Sequence, residues 1–385
     1  MKIRIYSPFF PFPVTEGAYL VVADQLRYFS QQGHDVELVC WWPNRASTTL
    51  EVAGSECPPR VRCILLGRGT ESTWQRRWRV ARSVCSRFAS PELFFYPPAL
   101  LKKVRALGSV DLAIYHYTYA HTWLSRPSRL PAESKRVVHV HNLESAGHAD
   151  RGGLLDWLHR WNAGKLRTHE GTLAAEVDEL WFLSPLDGRA LGHPNARVIP
   201  PTFDPGLKVR RQPSGGQQAV AGFIGVMDFR PNYASALWIL RELAPLLAAA
   251  GYRGKLVFVG KAMPEDLKQL ARRYPFIELR GFVESLHGFW AELSFLLAPH
   301  ITGTGIRTKI LESIVSGVPV LTNTAGAEPL PDGARRSPFL LCHDDPAEWA
   351  RILLSETRAQ ATRDRLADEP VCAALTAEEV YADVG

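Results

Sequence analysis

Short apolar runs separated by helix-length segments recur along the whole chain, and this alternation restricts its fold more than any other feature. Residues 3–6, 36–39, 111–115, 137–140 and 179–183 are apolar enough to be covered on both faces. Helical patterns fill the gaps, as with Leu20, Val21, Leu26 and Phe29 ahead of Gly33 and the run 36–39. Strand, loop, helix and strand make a βαβ unit of about 35 residues, and a parallel sheet is built from such crossovers. A second series follows at 219–225, 255–260, 277–281, 295–298, 318–322 and 339–342, with helices expected at 233–250 and 307–316. Between the two series, Pro200-Pro201-Thr202-Phe203-Asp204-Pro205 and the polar run 210–218 read as a linker.

A chain of 385 residues exceeds one hydrophobic core, so two doubly wound α/β domains in tandem are predicted. Their bounds are expected at 1–205 and 206–365, with a helical tail at 366–385 free to pack back on the first domain. Hydrophobic residues make up 46% and charged residues 22%, which excludes an intrinsically disordered chain. A net charge of +6 suits a phosphate-bearing partner but is too diffuse to call for nucleic acid. Cys40, Cys57, Cys63, Cys85, Cys342 and Cys372 form no C-x-x-C pair, so reduced, mostly buried thiols are expected. The N-terminal residues read as a strand rather than a signal peptide, and no run approaches about 18 apolar residues. A cytoplasmic protein is the expectation.

The run 295–298 ends in Pro299-His300-Ile301-Thr302-Gly303-Thr304-Gly305, directly before the helical stretch Ile306-Arg307-Thr308-Lys309-Ile310-Leu311-Glu312. In open parallel sheets ligands sit beyond the C-terminal strand ends, where small residues let the backbone approach them. A helix start supplies unpaired N–H groups for phosphate, and Arg307 and Lys309 add positive charge. Glu312, one turn inside, would repel phosphate but can accept hydrogen bonds from sugar hydroxyls. Taken alone, these residues fit equally well an ordinary amphipathic helix with solvated charges. They match neither a P-loop nor a dinucleotide fingerprint.

Ordered companions resolve that choice. Residues 299–330, including Glu312-Ser313-Ile314-Val315-Ser316-Gly317-Val318-Pro319-Val320, resemble the donor-site signature of GT-B glycosyltransferases, specifically the retaining family 4, glycosyl transferases group 1. Phe223-Ile224-Gly225-Val226-Met227-Asp228-Phe229-Arg230-Pro231-Asn232 is similar to the first loop of that family's second domain, and Gly281-Phe282-Val283 to its base-contacting turn. Gly33-His34-Asp35-Val36 and His139-Val140-His141-Asn142-Leu143-Glu144-Ser145 resemble its N-domain landmarks. The resemblance implies two Rossmann-like domains facing across a cleft. It also implies transfer of a sugar from a nucleoside diphosphate donor, UDP first and GDP or dTDP as alternatives, to a hydroxyl in glycan, lipid-linked glycan or natural-product assembly.

Carried over by position, Glu312 would hold the ribose, Lys309 and Arg230 the diphosphate, and the backbone around Val283 the base. Gly305 and Ile306 would offer amides, beside Gly225, Gly303 and Arg307. Thr304 stands where the family usually has an acidic residue for the donor sugar. His116, five residues after Asp111, resembles a histidine near the reacting sugar and is the first catalytic candidate, with His141 second. The loop at 11–18 keeps Gly17 of a Gly-Gly pair and carries Glu16 in place of the other. Glu16, Asn142 and Glu144 are candidate acceptor contacts. No Asp-x-Asp occurs in the chain, and neither metal nor other cofactor is expected. A catalytically silent GT-B partner subunit and a non-hydrolysing sugar-nucleotide epimerase are the competing readings.

The stretch 74–88 places Trp74, Trp78, Ala81 and Cys85 on one helical face beside Arg76 and Arg77, and Trp157 and Trp161 repeat that character near Arg160 and Lys165. Such a helix fits peripheral contact with an anionic membrane. The expected arrangement is the simpler one, in which aromatics are buried and arginines solvated.

Overall fold

The computed structural model describes residues 1–14, 17–40, 57–65, 72–95, 104, 106–124, 133–149, 156–203, 208–209, 219–283, 286–303, 305–355, 366, 375–381 and 384. It divides into two compact units, one comprising Met1–Thr202 and Thr304–Ile306 and the other Phe203–Gly303 and Arg307–Gly385. The expected linker run 210–218 lies outside the described residues.

The first unit holds seven strands: β1 (Lys2–Ser7), β2 (Asp35–Cys40), β3 (Val61–Leu65), β4 (Val110–His116), β5 (Glu133–Val140), β6 (Glu179–Phe182) and β7 (Ala196–Val198). Every pair is parallel, in the order β3-β2-β1-β4-β5-β6-β7. The central strands are buried along almost their full length, which is why they read as continuous apolar runs. The edge strands β3 and β7 are partly exposed, and neither was expected from the sequence. Helices used below are α1 (Gly17–Gln31), α2 (Thr73–Cys85), α3 (Glu144–Ala149) and α4 (Asp156–Glu176).

The second unit has six parallel strands: β8 (Val220–Ile224), β9 (Lys255–Val259), β10 (Ile277–Gly281), β11 (Phe295–Ala298), β12 (Val320–Thr322) and β13 (Leu340–Cys342), in the order β10-β9-β8-β11-β12-β13. Its helix α5 (Arg230–Trp238) continues through a π-helical turn, Ile239–Leu243, into α6 (Ala244–Ala249). Pro245 lacks the N–H an uninterrupted α-helix would use there, and the wider turn before it takes up the mismatch. Further along are α7 (Leu286–Glu292), α8 (Thr308–Val315) and α9 (Pro346–Leu354). The core packs Phe223, Phe258, Leu297 and Leu321 of the sheet against Ile239, Leu243 and Trp349.

Two expectations need correction. Cys57 and Cys63 are joined by a disulfide rather than reduced, because the turn at Pro58-Pro59-Arg60 brings the chain back on itself as it enters β3. Cys85 and Cys342 are exposed, and only Cys40 of the described free thiols is buried. The face of α2 carrying Trp74 and Trp78 does not enter the core either: these residues are 67% and 57% exposed. Ser83, on the opposite side, is the residue that helix buries. Among the described residues no helix is long and apolar enough to cross a membrane.

The ends of β8, β9 and β10 converge through backbone alone. Gly225 N donates to Val259 O at 3.1 Å and Gly260 N to Gly281 O at 2.7 Å. A Cβ on Gly260, whose φ is +143°, would lie 1.8 Å from Gly225 O. Gly260→Ala is therefore expected to cost more than about 3 kcal/mol, since strained backbone and overlap with a main-chain atom combine. Gly251→Ala meets open space at φ +67° and should cost only about 1–2 kcal/mol. Urea denaturation of the two variants measures the contrast.

Candidate functional site

In each sheet the strand order reverses once, and there the connections leave toward opposite faces. In the second unit the reversal falls between β8 and β11. The loop after β8 runs from Gly225 into α5, and the loop after β11 runs from Pro299 into α8. Ser235 Oγ donates to Pro299 O at 2.6 Å. The Asn323 side chain accepts from His300 N at 2.9 Å and donates to His300 O at 2.8 Å. These bonds pin the start of the second loop. Gly303 has φ +100°, and a Cβ there would stand 2.9 Å from Pro231 Cγ.

Lys309 turns back beneath the loop after β8. Its Nζ donates to Ile224 O at 2.8 Å and Asn232 Oδ1 at 2.7 Å, and lies 4.7 Å from the centre of the Phe223 ring. Asn232 is held in turn by its Nδ2 donating to Val226 O at 3.0 Å. Burial, reinforced by the charge of Arg307, lowers the Lys309 amine to a pKa of about 7. One turn on, Glu312 accepts from Trp290 Nε1 at 3.3 Å. Burial raises its carboxyl to about 7, against the opposing pull of that single N–H. Arg307 donates from Nη2 to Gly303 O at 3.1 Å and meets the His300 ring. Arg230 opens α5 and is exposed, while Gly305 and Ile306 are half-buried. Val283 is half-buried after the φ +71° turn at Gly281, beside Phe282, which is 66% exposed. Thr304 and Glu16 lie outside the described residues.

In the first unit the reversal falls between β1 and β4, and His116 is the last residue of β4. His116 is fully buried, with Nδ1 2.8 Å from His141 Nε2 and Nε2 3.0 Å from Gln25 Oε1. Both its ring nitrogens are thus occupied from within, which leaves none for direct contact with a ligand. His141 packs under Tyr117, a ring stacked at 4.3 Å on a residue with the unusual φ of +74°. Burial lowers both histidines well below the ordinary imidazole range, so both are neutral. Gly17 opens α1, Asn142 follows His141 and Glu144 opens α3, all three half-buried. Among the described residues no three His, Cys, Asp or Glu are placed to hold a metal ion.

Sequence reasoning assigned no role to Asn232, Trp290, His139 or Gln25. Gln25 did leave a signal, as a polar residue inside the buried stripe Val21, Val22, Leu26 and Phe29. Trp290 left none, because a tryptophan in an apolar helix stripe reads as core whether or not its N–H meets a carboxylate on the next helix.

The Glu312 geometry carries a pH dependence. Its folded pKa lies above the unfolded value, so its contribution favours folding below about pH 4.3 and is lost as pH rises through about 7. Glu312→Gln keeps an acceptor for Trp290 without the charge. Its melting temperature should match the parent near pH 4 and exceed it at pH 8 by a few degrees, on the order of 1–2 kcal/mol. An equal or lower value at pH 8, measured by differential scanning calorimetry, would contradict this.

Residues 218–355 match the family Glycosyl transferases group 1. A comparison with curated protein sequences gives no match. Among solved structures, Anabaena HepE in complex with UDP and glucose is 15% identical with a TM-score of 0.65, covering 100% of this chain and 98% of that one. Sucrose-phosphate synthase from Thermosynechococcus elongatus is also 15% identical, with a TM-score of 0.64 and coverage of 100% and 97%. WaaG, a glycosyltransferase involved in lipopolysaccharide biosynthesis, is 15% identical with a TM-score of 0.60 and full coverage of both chains. With its seven- and six-stranded parallel sheets the chain has the GT-B fold, and its residues 218–355 are similar to the glycosyl transferases group 1 family.

Proposed function

We propose that the chain transfers a sugar from a nucleoside diphosphate donor to an acceptor hydroxyl, with retention of configuration and without a metal. The observation that carries this reading is the corner at β8 and β11, where a glycine-bearing loop, two cationic residues and the half-buried carboxylate of Glu312 meet within one helical turn. Glu312 accepts one hydrogen bond among the described residues, so a ribose can supply the donors that a buried carboxylate otherwise lacks. Ribose hydroxyls would hold it ionised near neutral pH. Lys309, whose amine titrates near 7, gains its full charge when a diphosphate arrives. Arg230 and the amides of Gly305 and Ile306 complete the stabilisation of a leaving diphosphate, and preorganised charge is the main catalytic device such a site offers. A UDP-sugar stands first because Anabaena HepE has been crystallised with UDP and with UDP-glucose. On the acceptor side, His141 keeps a ring nitrogen available, with Asn142 and Glu144 beside it.

Turnover of a panel of UDP-, GDP- and dTDP-sugars tests the reaction. Release of nucleoside diphosphate is expected from at least one, whereas tight binding without turnover would favour a silent GT-B partner subunit. Glu312→Ala should weaken UDP binding by about tenfold or more, the loss of roughly 1.5–3 kcal/mol in hydrogen bonds to a charged group. Unchanged affinity by isothermal titration would remove the ribose role.

A peripheral contact with an anionic membrane belongs to the same proposal. Helix α2 starts on a capping box, with Ser72 Oγ accepting from Gln75 N at 3.2 Å and Gln75 Oε1 accepting from Ser72 N at 2.8 Å. It carries Arg76, Arg77, Arg79 and Arg82 and no acidic residue. Lys165 of α4 donates to Ser83 O and Ser86 O, tying α4 to the end of α2, and lies 5.2 Å from the Trp161 ring centre. With Trp157 and Trp161 58% and 52% exposed, two linked helices each present tryptophans to solvent. Cosedimentation with phosphatidylglycerol vesicles, little binding to phosphatidylcholine vesicles, and a several-fold loss in Trp74→Ala/Trp78→Ala are expected. Equal binding to both vesicle types would count against membrane contact.

A further inference from the structure

Four buried side chains of the first unit form one continuous hydrogen-bonded chain. His139 Nε2 lies 3.2 Å from Ile199 O, and Gln25 Nε2 lies 2.7 Å from His139 Nδ1. Gln25 Oε1 lies 3.0 Å from His116 Nε2, and His116 Nδ1 lies 2.8 Å from His141 Nε2. Gln25, His116 and His139 have no exposed surface, and His141 is 6% exposed.

The direction of each bond follows from the end of the chain. A peptide carbonyl only accepts, so His139 carries its proton on Nε2. A neutral imidazole then has a lone pair at Nδ1, which must accept from the Gln25 amide. That orients Gln25 with its carbonyl toward His116, and a carbonyl again only accepts, so His116 is protonated on Nε2. The lone pair at His116 Nδ1 accepts from His141, which is therefore protonated on Nε2 as well. What remains is His141 Nδ1, a lone pair with no protein partner among the described residues. Reversing any one bond would set two donors or two acceptors face to face, at the cost of an unmade buried hydrogen bond. Neutral rings are what this environment requires, since burial pushes His139 down to about 3 and the other two well below their ordinary value.

We propose that Gln25 and His139 are positioning residues, which act through His116 to hold His141 in the Nε2–H tautomer and present its Nδ1 as a hydrogen-bond acceptor. The group it recognises is a hydroxyl or other donor. A phosphate oxygen, which has no proton to give, is excluded. Identifying that hydroxyl with the sugar acceptor rests on the transferase reading above; the tautomer assignment does not.

The test is a long-range 15N–1H spectrum of the full-length, ligand-free protein labelled with 15N-histidine. His116, His139 and His141 should each show a protonated Nε2 and an imine-like Nδ1, unchanged from pH 8 to pH 5.5. Gln25→Leu cuts the chain, and the His141 Nδ1 resonance should move toward the position averaged between tautomers. His139→Phe frees the Gln25 amide to turn over and should move it the same way. Gln25→Glu keeps an oxygen facing His116 and should leave His116 and His141 in the parent pattern, while its second oxygen replaces the amide donor and should draw a proton onto His139 Nδ1. A protonated Nδ1 on His141 in the parent would overturn the proposal, as would an unchanged His141 in a natively folded Gln25→Leu. If neither disruptive variant folds, the parent and Gln25→Glu spectra decide. Because no ligand is present, these outcomes do not depend on whether the chain turns over a nucleotide sugar.

Discussion

Parallel pairing is the constraint on which the rest depends. When every strand in a sheet points the same way, every C-terminal end reaches the same edge, and each crossover must return over one face or the other. Reversal of strand order then leaves one place per sheet where neighbouring connections part. Here those places are β1 beside β4 and β8 beside β11. The histidine chain occupies the first, and the loop leading to Lys309 and Glu312 the second. Neither cluster needs an insertion or an unusual motif, because the sheet itself delivers the chain ends to them.

The two clusters use burial in different ways. At the second unit, burial holds an amine and a carboxyl one helical turn apart, each near the midpoint of its titration at neutral pH. On the transferase reading proposed above, the arrival of a diphosphate and of two ribose hydroxyls would set their charges. In the first unit, burial suppresses charge altogether and leaves only the direction of hydrogen bonds as a variable. A cluster of the first kind is sensitive to nearby charge, and one of the second kind to the direction of hydrogen bonds alone.

Much of this was legible in the sequence, and the exceptions share a cause. Runs such as 295–298 were plain because both faces of a central strand are covered, so every position is apolar. Strands β3 and β7 were invisible because an edge strand is partly wet and loses that continuity. Periodicity predicts one helix over 233–250, but the accommodation of Pro245 by a wider turn is a matter of main-chain bonding that side-chain periodicity does not encode. Trp74 and Trp78 were placed on one face correctly and assigned to the wrong environment. A helical stripe states which residues lie together, while the side that meets the core depends on what packs beneath.

The histidines show the same boundary more sharply. Their positions at the ends of β4 and β5 follow from the strand pattern, with His116 the first catalytic candidate by resemblance and His141 the second by its place at the next strand end. What residue identity cannot convey is polarity, since every imidazole and amide in the chain can serve either way round. That ambiguity disappears through Ile199, whose side chain plays no part: its main-chain carbonyl, just beyond β7, has only one role available. A backbone atom at the sheet edge thus determines which nitrogen of a histidine two strands away is left open. The information travels through two rings and an amide that contribute no charge.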